Sequence, residues 1–200
     1  MEQPKTDKKT GGTAGRPSPV MLKKPTVLLW LLLAAAVVIA DQWSKAWIAE
    51  RAATLAHNPI ILIPGVLRFS YVENDGMAFG MLGDHPWVFM IASVVAILGV
   101  TVYLVCYSPD SVLCRAALML IVGGGIGNMI DRVKLHYVID FIDFYPFPKL
   151  WTWVFNVADV AVCVGVGLMI LWLILMTVRE LRADRAAKAN ASDTTDGPEN

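Results

Sequence analysis

The sequence predicts an all-α membrane protein: four transmembrane helices, with a small external β-containing segment and an external interfacial loop between them. Three observations carry that prediction. Hydrophobic residues make up 56% of the 200-residue chain against 17% charged, with a mean hydropathy of +0.55, far from the balance of a soluble domain. The apolar residues gather into four stretches of membrane length or nearly so, a span needing roughly 20 residues. Lysine and arginine crowd the two ends of the chain.

The first span runs from Val27 to Ala40 and continues amphipathically to Ile48. Its basic start and the Val38-Ile39-Ala40 ending also resemble a cleavable signal peptide. Against that, residues 41–48 continue at helical spacing, with Asp41 and Lys45 at i and i+4 on one face, so the span is read as a permanent helix. The others are Trp87 to Cys106, Leu113 to Ile130 and Val154 to Val178. Lys5, Lys8, Lys9, Arg16, Lys23 and Lys24 precede the first span, and Arg179, Arg182, Arg185 and Lys188 follow the last. Basic flanks stay in the cytoplasm, so both termini are expected inside. That leaves two external segments, roughly residues 49–86 and 131–153. A disordered extension at 1–24 and a disordered tail at 179–200 are expected to flank a transmembrane domain at 25–178.

This topology gathers the polar residues on one side of the membrane. Asp41 and Lys45 end the first span, Asn128, Asp131 and Arg132 end the third, and Asn156 and Asp159 begin the fourth. The i, i+3 and i, i+4 spacings put each cluster on one helix face. A carboxylate in hydrocarbon costs about 3 kcal/mol at the centre, so such groups face the bundle interior and pair. An ion-pair clamp that orders the helices is the plain explanation for Asp41, Lys45, Asp131 and Arg132.

In the first external segment, Val66 to Val72 alternates as a short strand and Asn74-Asp75-Gly76 signals a turn. The second mixes apolar residues with Tyr137, Tyr145, Trp151 and Trp153, as a chain lying at the interface does. It brings Asp140 and Asp143 to the level of Asp159, and in an extended chain these two point to opposite faces. Gly123, Gly124, Gly125 and Gly127 permit close helix approach within a bilayer.

Several chemistries are set aside. Zero net charge implies no nucleic-acid partner. Cys106, Cys114 and Cys163 have no CxxC spacing and read as buried hydrophobes. Without HExxH, and with scattered histidines, no metal or other cofactor is expected. Ser44 and Lys45, as helix neighbours, point about 100° apart and do not make a Ser-Lys nucleophile. Two aspartates facing one water remain, which suits hydrolysis of a membrane-embedded substrate. A small transporter or proton channel relaying ions through carboxylates stays open as the alternative, as does a non-catalytic assembly factor.

"DQWSK" at 41–45, "NDGMAF" at 74–79, "GNMIDR" at 127–132, "VIDF" at 138–141 and "FNVAD" at 155–159 resemble, in order and spacing, the signature blocks of bacterial lipoprotein signal peptidase, signal peptidase II. The resemblance covers about residues 25–178. It implies a monomeric aspartic endopeptidase of the bacterial cytoplasmic membrane, in contact with membrane lipids. Its substrates would be lipid-modified prolipoproteins, cut just before a diacylglyceryl-bearing cysteine near the outer face. It also implies Asp140 and Asp159 as the catalytic pair, with Asp41, Lys45, Asn74, Asn128, Asp131, Arg132 and Asn156 as supporting positions. Asn128 and Asn156 suit hydrogen bonding around the pair or to the substrate backbone, Arg132 pairing with Asp131 or holding the external loop, and Asp41 with Lys45 fixing the first helix. Met77 and Val160 depart from residues frequent in the family at those places.

Overall fold

The computed structural model describes residues 24–75, 111–146 and 153–193, with positions 91, 94, 95, 97–100, 102 and 103 between them. Among the described residues, three helices have the length and composition to cross a membrane. Helix α1 spans Lys24–Ala49, and a single turn, α2, follows at Ala52–Leu55. Helix α3 spans Val112–Leu135 and α4 spans Val157–Asp193. The predicted second span falls mostly outside the described residues; those described within it are helical. The expected N-terminal extension also lies outside them, except for Lys24.

Helix α3 starts at Ser111, whose hydroxyl accepts from the Cys114 N–H at 3.4 Å, and ends at His136, whose φ of 69° turns the chain left-handed. Between these caps it packs against both other described spans, and its glycines are why. A Cβ on Gly123 would lie 2.8 Å from the Ala34 carbonyl oxygen of α1, and one on Gly124 would strike the Ala158 carbonyl of α4. Backbone thus meets backbone, as small residues in a bilayer allow. Gly124→Val should therefore force the two helices apart at a cost of about 1–3 kcal/mol. Thermal unfolding in detergent reads this as a lower midpoint, and an unchanged midpoint would contradict the packing.

Strands β1 (Ile60–Ile63), β2 (Leu67–Asn74), β3 (Val138–Phe144) and β4 (Val154–Phe155) form one antiparallel sheet in the order β1-β2-β3-β4. Leu67 faces Phe144, Arg68 faces Asp143 and Val72 faces Asp140, with a bulge between Phe69 and Val72. Ile48, Leu55, Ile139 and Phe141 form a buried cluster where the sheet meets the end of α1 and α2. Burying such side chains contributes about 1.5–3 kcal/mol each, which fixes β3 against the helix ends.

Three expectations change. The fold is not all-α, since a four-stranded sheet joins the helices. The strand expected at Val66–Val72 is present as β2, but the second external segment is not an interfacial loop alone: it supplies β3 and β4. Val138, Ile139, Asp140 and Phe141 are all buried, so β3 is covered on both faces and shows no clean alternation. The tail expected to be disordered continues as helix to Asp193, because its Ala, Arg, Leu, Glu and Lys residues favour helix and extend one already nucleated. At the expected turn, Asn74 closes β2, Asp75 bends the chain, and Gly76 lies outside the described residues.

Candidate active site

Asp41 and Lys45 project from the C-terminal end of α1 into the bundle, 0% and 2% exposed. The Lys45 Nζ lies 2.8 Å from Asp41 Oδ2 and 2.9 Å from Asp131 Oδ2 on α3. It also donates to Asn128 Oδ1 at 3.0 Å. Asp41 Oδ1 accepts from the Ala158 N–H in the first turn of α4 at 2.9 Å, and Asp131 Oδ2 accepts from the Ile139 N–H of β3 at 3.2 Å. One buried cation and two carboxylates therefore tie α1, α3, α4 and β3 together. Gln42 completes this clamp: its amide donates to Asp131 Oδ1 at 2.9 Å and to the Gly127 carbonyl at 3.2 Å. Sequence reasoning missed Gln42, whose only sign was its place between Asp41 and Lys45. Gly127 has no room for a side chain, since a Cβ there would lie 2.6 Å from Asp41 Oδ2.

Asn156 precedes α4 and caps it. Its Oδ1 accepts from the Asp159 N–H at 2.9 Å, while Asp159 Oδ2 accepts from the Asn156 N–H at 3.2 Å. This is a capping box with aspartate at the third helical position, where the positive end of the helix dipole favours a carboxylate. The other Asp159 oxygen accepts from Asn128 Nδ2 at 2.8 Å. Asn156 then reaches further: its Nδ2 donates to Asp140 Oδ1 at 2.7 Å and to Asn128 Oδ1 at 3.1 Å. Asp140 Oδ2 accepts from Asn74 Nδ2 at 2.7 Å. A single asparagine thus holds both carboxylates, one through its side chain and one through its backbone.

Capping alone accounts for Asp159, but nothing in the fold requires Asp140 to be buried beside it. Burial pushes the Asp140 carboxyl up to about 7, and the negative charge of Asp159 adds to the rise against the hydrogen bonds from Asn74 and Asn156. Asp143, three residues along β3, points away from the pair. Its Oδ2 lies 2.6 Å from Arg68 Nε, and that guanidinium sits 4.5 Å from the Tyr145 ring. Arg132, half-buried on α3, lies within electrostatic reach of Asp159, Asp140 and Asp131. Lys45, from another helix, also pairs with Asp131.

A family model described as signal peptidase (SPase) II matches residues 33–175. The chain belongs to the signal peptidase II family. All nine candidate positions fall inside that match. The lipoprotein signal peptidase of Symbiobacterium thermophilum is 43% identical over 155 residues, 74% of this chain and 96% of that one. That of Syntrophotalea carbinolica is 41% identical over 144 residues, 70% and 88% of the two chains. A bacterial membrane enzyme solved by the in meso method at 2.3 Å superposes with a TM-score of 0.68 at 30% identity, covering 76% of this chain and 90% of that one. Membership in the signal peptidase II family makes the chain a membrane protease and does not favour the transporter or channel.

Proposed function

We propose that this chain is an aspartic endopeptidase that removes signal peptides from prolipoproteins immediately before a diacylglyceryl-modified cysteine, with Asp140 and Asp159 as its acid–base pair. The observation that carries this reading is the bridging of both carboxylates by Asn156. Two like charges held so close share one proton, and they titrate as a unit. The ionised carboxylate takes a proton from water, whose oxygen attacks the scissile carbonyl carbon, while the protonated one gives its proton to the carbonyl oxygen. Collapse of the tetrahedral species breaks the C–N bond. The proton taken from water passes to the leaving amine, and the proton on the former carbonyl oxygen returns to the pair. Asn128 and Asn156 orient the carboxylates, Asn74 steadies Asp140, and Asp41, Lys45, Asp131 and Arg132 hold the helix ends in place.

The remaining placement is part of the same proposal. Four spans cross the bacterial cytoplasmic membrane with both termini inside, and a monomer among membrane lipids carries the site near the outer face. A reporter fused after Asn200 should be cytoplasmic, and one placed between Asp84 and Pro86 external; the reverse labelling would overturn this topology. The substrate claim is tested with purified protein in detergent containing EDTA. A diacylglyceryl-modified precursor should be cleaved and its unmodified counterpart spared, whereas equal cleavage of both, or loss of activity to the chelator restored by zinc, would contradict it.

The pH profile follows from Asp140. Its carboxyl, raised to about 7 chiefly by burial, loses its proton as pH climbs, and the pair then lacks its acid. The plot of kcat/KM against pH should fall on the alkaline side. Asn74→Ala removes a hydrogen bond that favours the ionised form, so this limb should move to higher pH. A limb that stays in place would separate Asn74 from the titrating group.

A further inference from the structure

Among the described residues, strand β1 is the edge of the sheet remote from β4, and its composition is unlike that of an edge facing water. Ile60, Ile61, Leu62 and Ile63 are all large and apolar, at 40%, 51%, 45% and 51% exposed. Successive strand residues point to opposite faces, so both faces of β1 are apolar and both are open. Docking onto a protein surface needs one apolar face only, and an edge left in water is normally blunted by charge. Pro59 and Pro64 bracket the strand. Because proline has no N–H to donate, a peptide adding as a further strand would find an edge of four residues closed at both ends.

An apolar surround on both sides is what bilayer acyl chains provide. The strand also follows closely in sequence on a helix whose exposed face is apolar. Leu31, Leu32 and Ile39 on α1 are exposed, as is Trp43 at 71%, and β1 begins eleven residues after α1 ends. Between them Arg51 lies 4.2 Å over the Trp47 ring and donates to the Trp47 carbonyl at 2.8 Å, a basic and aromatic pairing suited to the headgroup level.

We infer that β1 is a lipid anchor: Ile60–Ile63 is immersed in the acyl chains of the outer leaflet and hangs the sheet from the membrane surface. Asp140 lies two strands away, about 10 Å across the sheet, so the anchor sets the depth of the pair. The inference rests on the outer-face placement proposed above and deepens it, since a diacylglyceryl-bearing cysteine is held by its own acyl chains in the same leaflet.

The test uses the full chain with p-benzoylphenylalanine replacing Ile61 or, separately, Leu62. Only variants with the wild-type melting midpoint are taken forward. Each is reconstituted in phosphatidylethanolamine and phosphatidylglycerol vesicles without prolipoprotein, irradiated and weighed. Phospholipid adducts are expected at both positions, in yields similar to the same group replacing Leu31 and several-fold above that replacing Asp75. An adduct at one position only, or at neither while Leu31 gives one, overturns the inference. So does an adduct that forms only with added prolipoprotein and has a peptide's mass, which would make β1 a strand-addition site. Crosslinking needs no cleavage, so an inactive protein with both lipid adducts would refute the peptidase reading and leave the anchor standing.

Discussion

Asp140→Asn and Asp159→Asn should each abolish detectable cleavage, and the double substitution should be hardly worse. General acid–base roles are worth about 10²–10⁴-fold, and groups acting as a unit lose nearly everything at the first substitution. Loss of fold would be a trivial cause, and Asp140 allows it to be separated. Its folded-state carboxyl is raised from 3.8 to about 7, so its contribution to stability is fullest below the unfolded value and is lost as pH rises through about 7. At pH 8 the buried charge is a liability of up to about 4 kcal/mol, against about 1 kcal/mol for a hydrogen bond the amide forgoes. Asp140→Asn should then accumulate in the membrane and melt no lower than wild type at pH 8. Asp143→Asn is the internal control: its partner is the half-exposed Arg68, and it should cost at most part of the activity. An inactive Asp143→Asn beside a fully active Asp140→Asn would reassign the pair.

The second large effect falls on stability. Lys45→Met leaves the Asp41 and Asp131 carboxylates buried without their cation, and breaking a buried pair from one side costs about 3–5 kcal/mol. The variant should accumulate poorly and unfold at a markedly lower temperature. Adding Asp131→Asn removes one of the stranded charges and should recover part of the loss, a coupling that a double-mutant cycle reads directly. Strictly additive losses would mean that the three groups do not act as one clamp.

The sequence made the first, third and fourth spans legible because membrane-length apolar runs are hard to mistake, while the second falls mostly outside the described residues. It made the polar cluster legible because i, i+3 and i, i+4 spacings put Asn128 with Asp131 and Asn156 with Asp159 on single faces. The opposite facing of Asp140 and Asp143 followed from strand geometry alone, and the structure separates them accordingly, one onto Asn74 and Asn156 and the other onto Arg68. The strand itself was harder to see. Val138–Phe141 is covered on both faces, which erases alternation, and the pairing of β2 with β3 joins residues 68 apart, as Val72 faces Asp140. Gln42 was illegible for a similar reason, since its partners, Gly127 and Asp131, come from another helix. The helical tail was misjudged because its polar composition suggested disorder, while its helix-forming residues simply prolong α4.

The central claim is that Asp140 and Asp159 together cut a lipid-modified precursor at one bond. Wild type and Asp159→Asn, purified side by side, are given the same diacylglyceryl-modified prolipoprotein, and both products are read by mass spectrometry. Wild type should release the intact signal peptide and leave a product whose first residue is the modified cysteine, while Asp159→Asn releases neither. Cleavage by the variant at that same bond, or a wild-type product beginning at any other residue, would contradict the account.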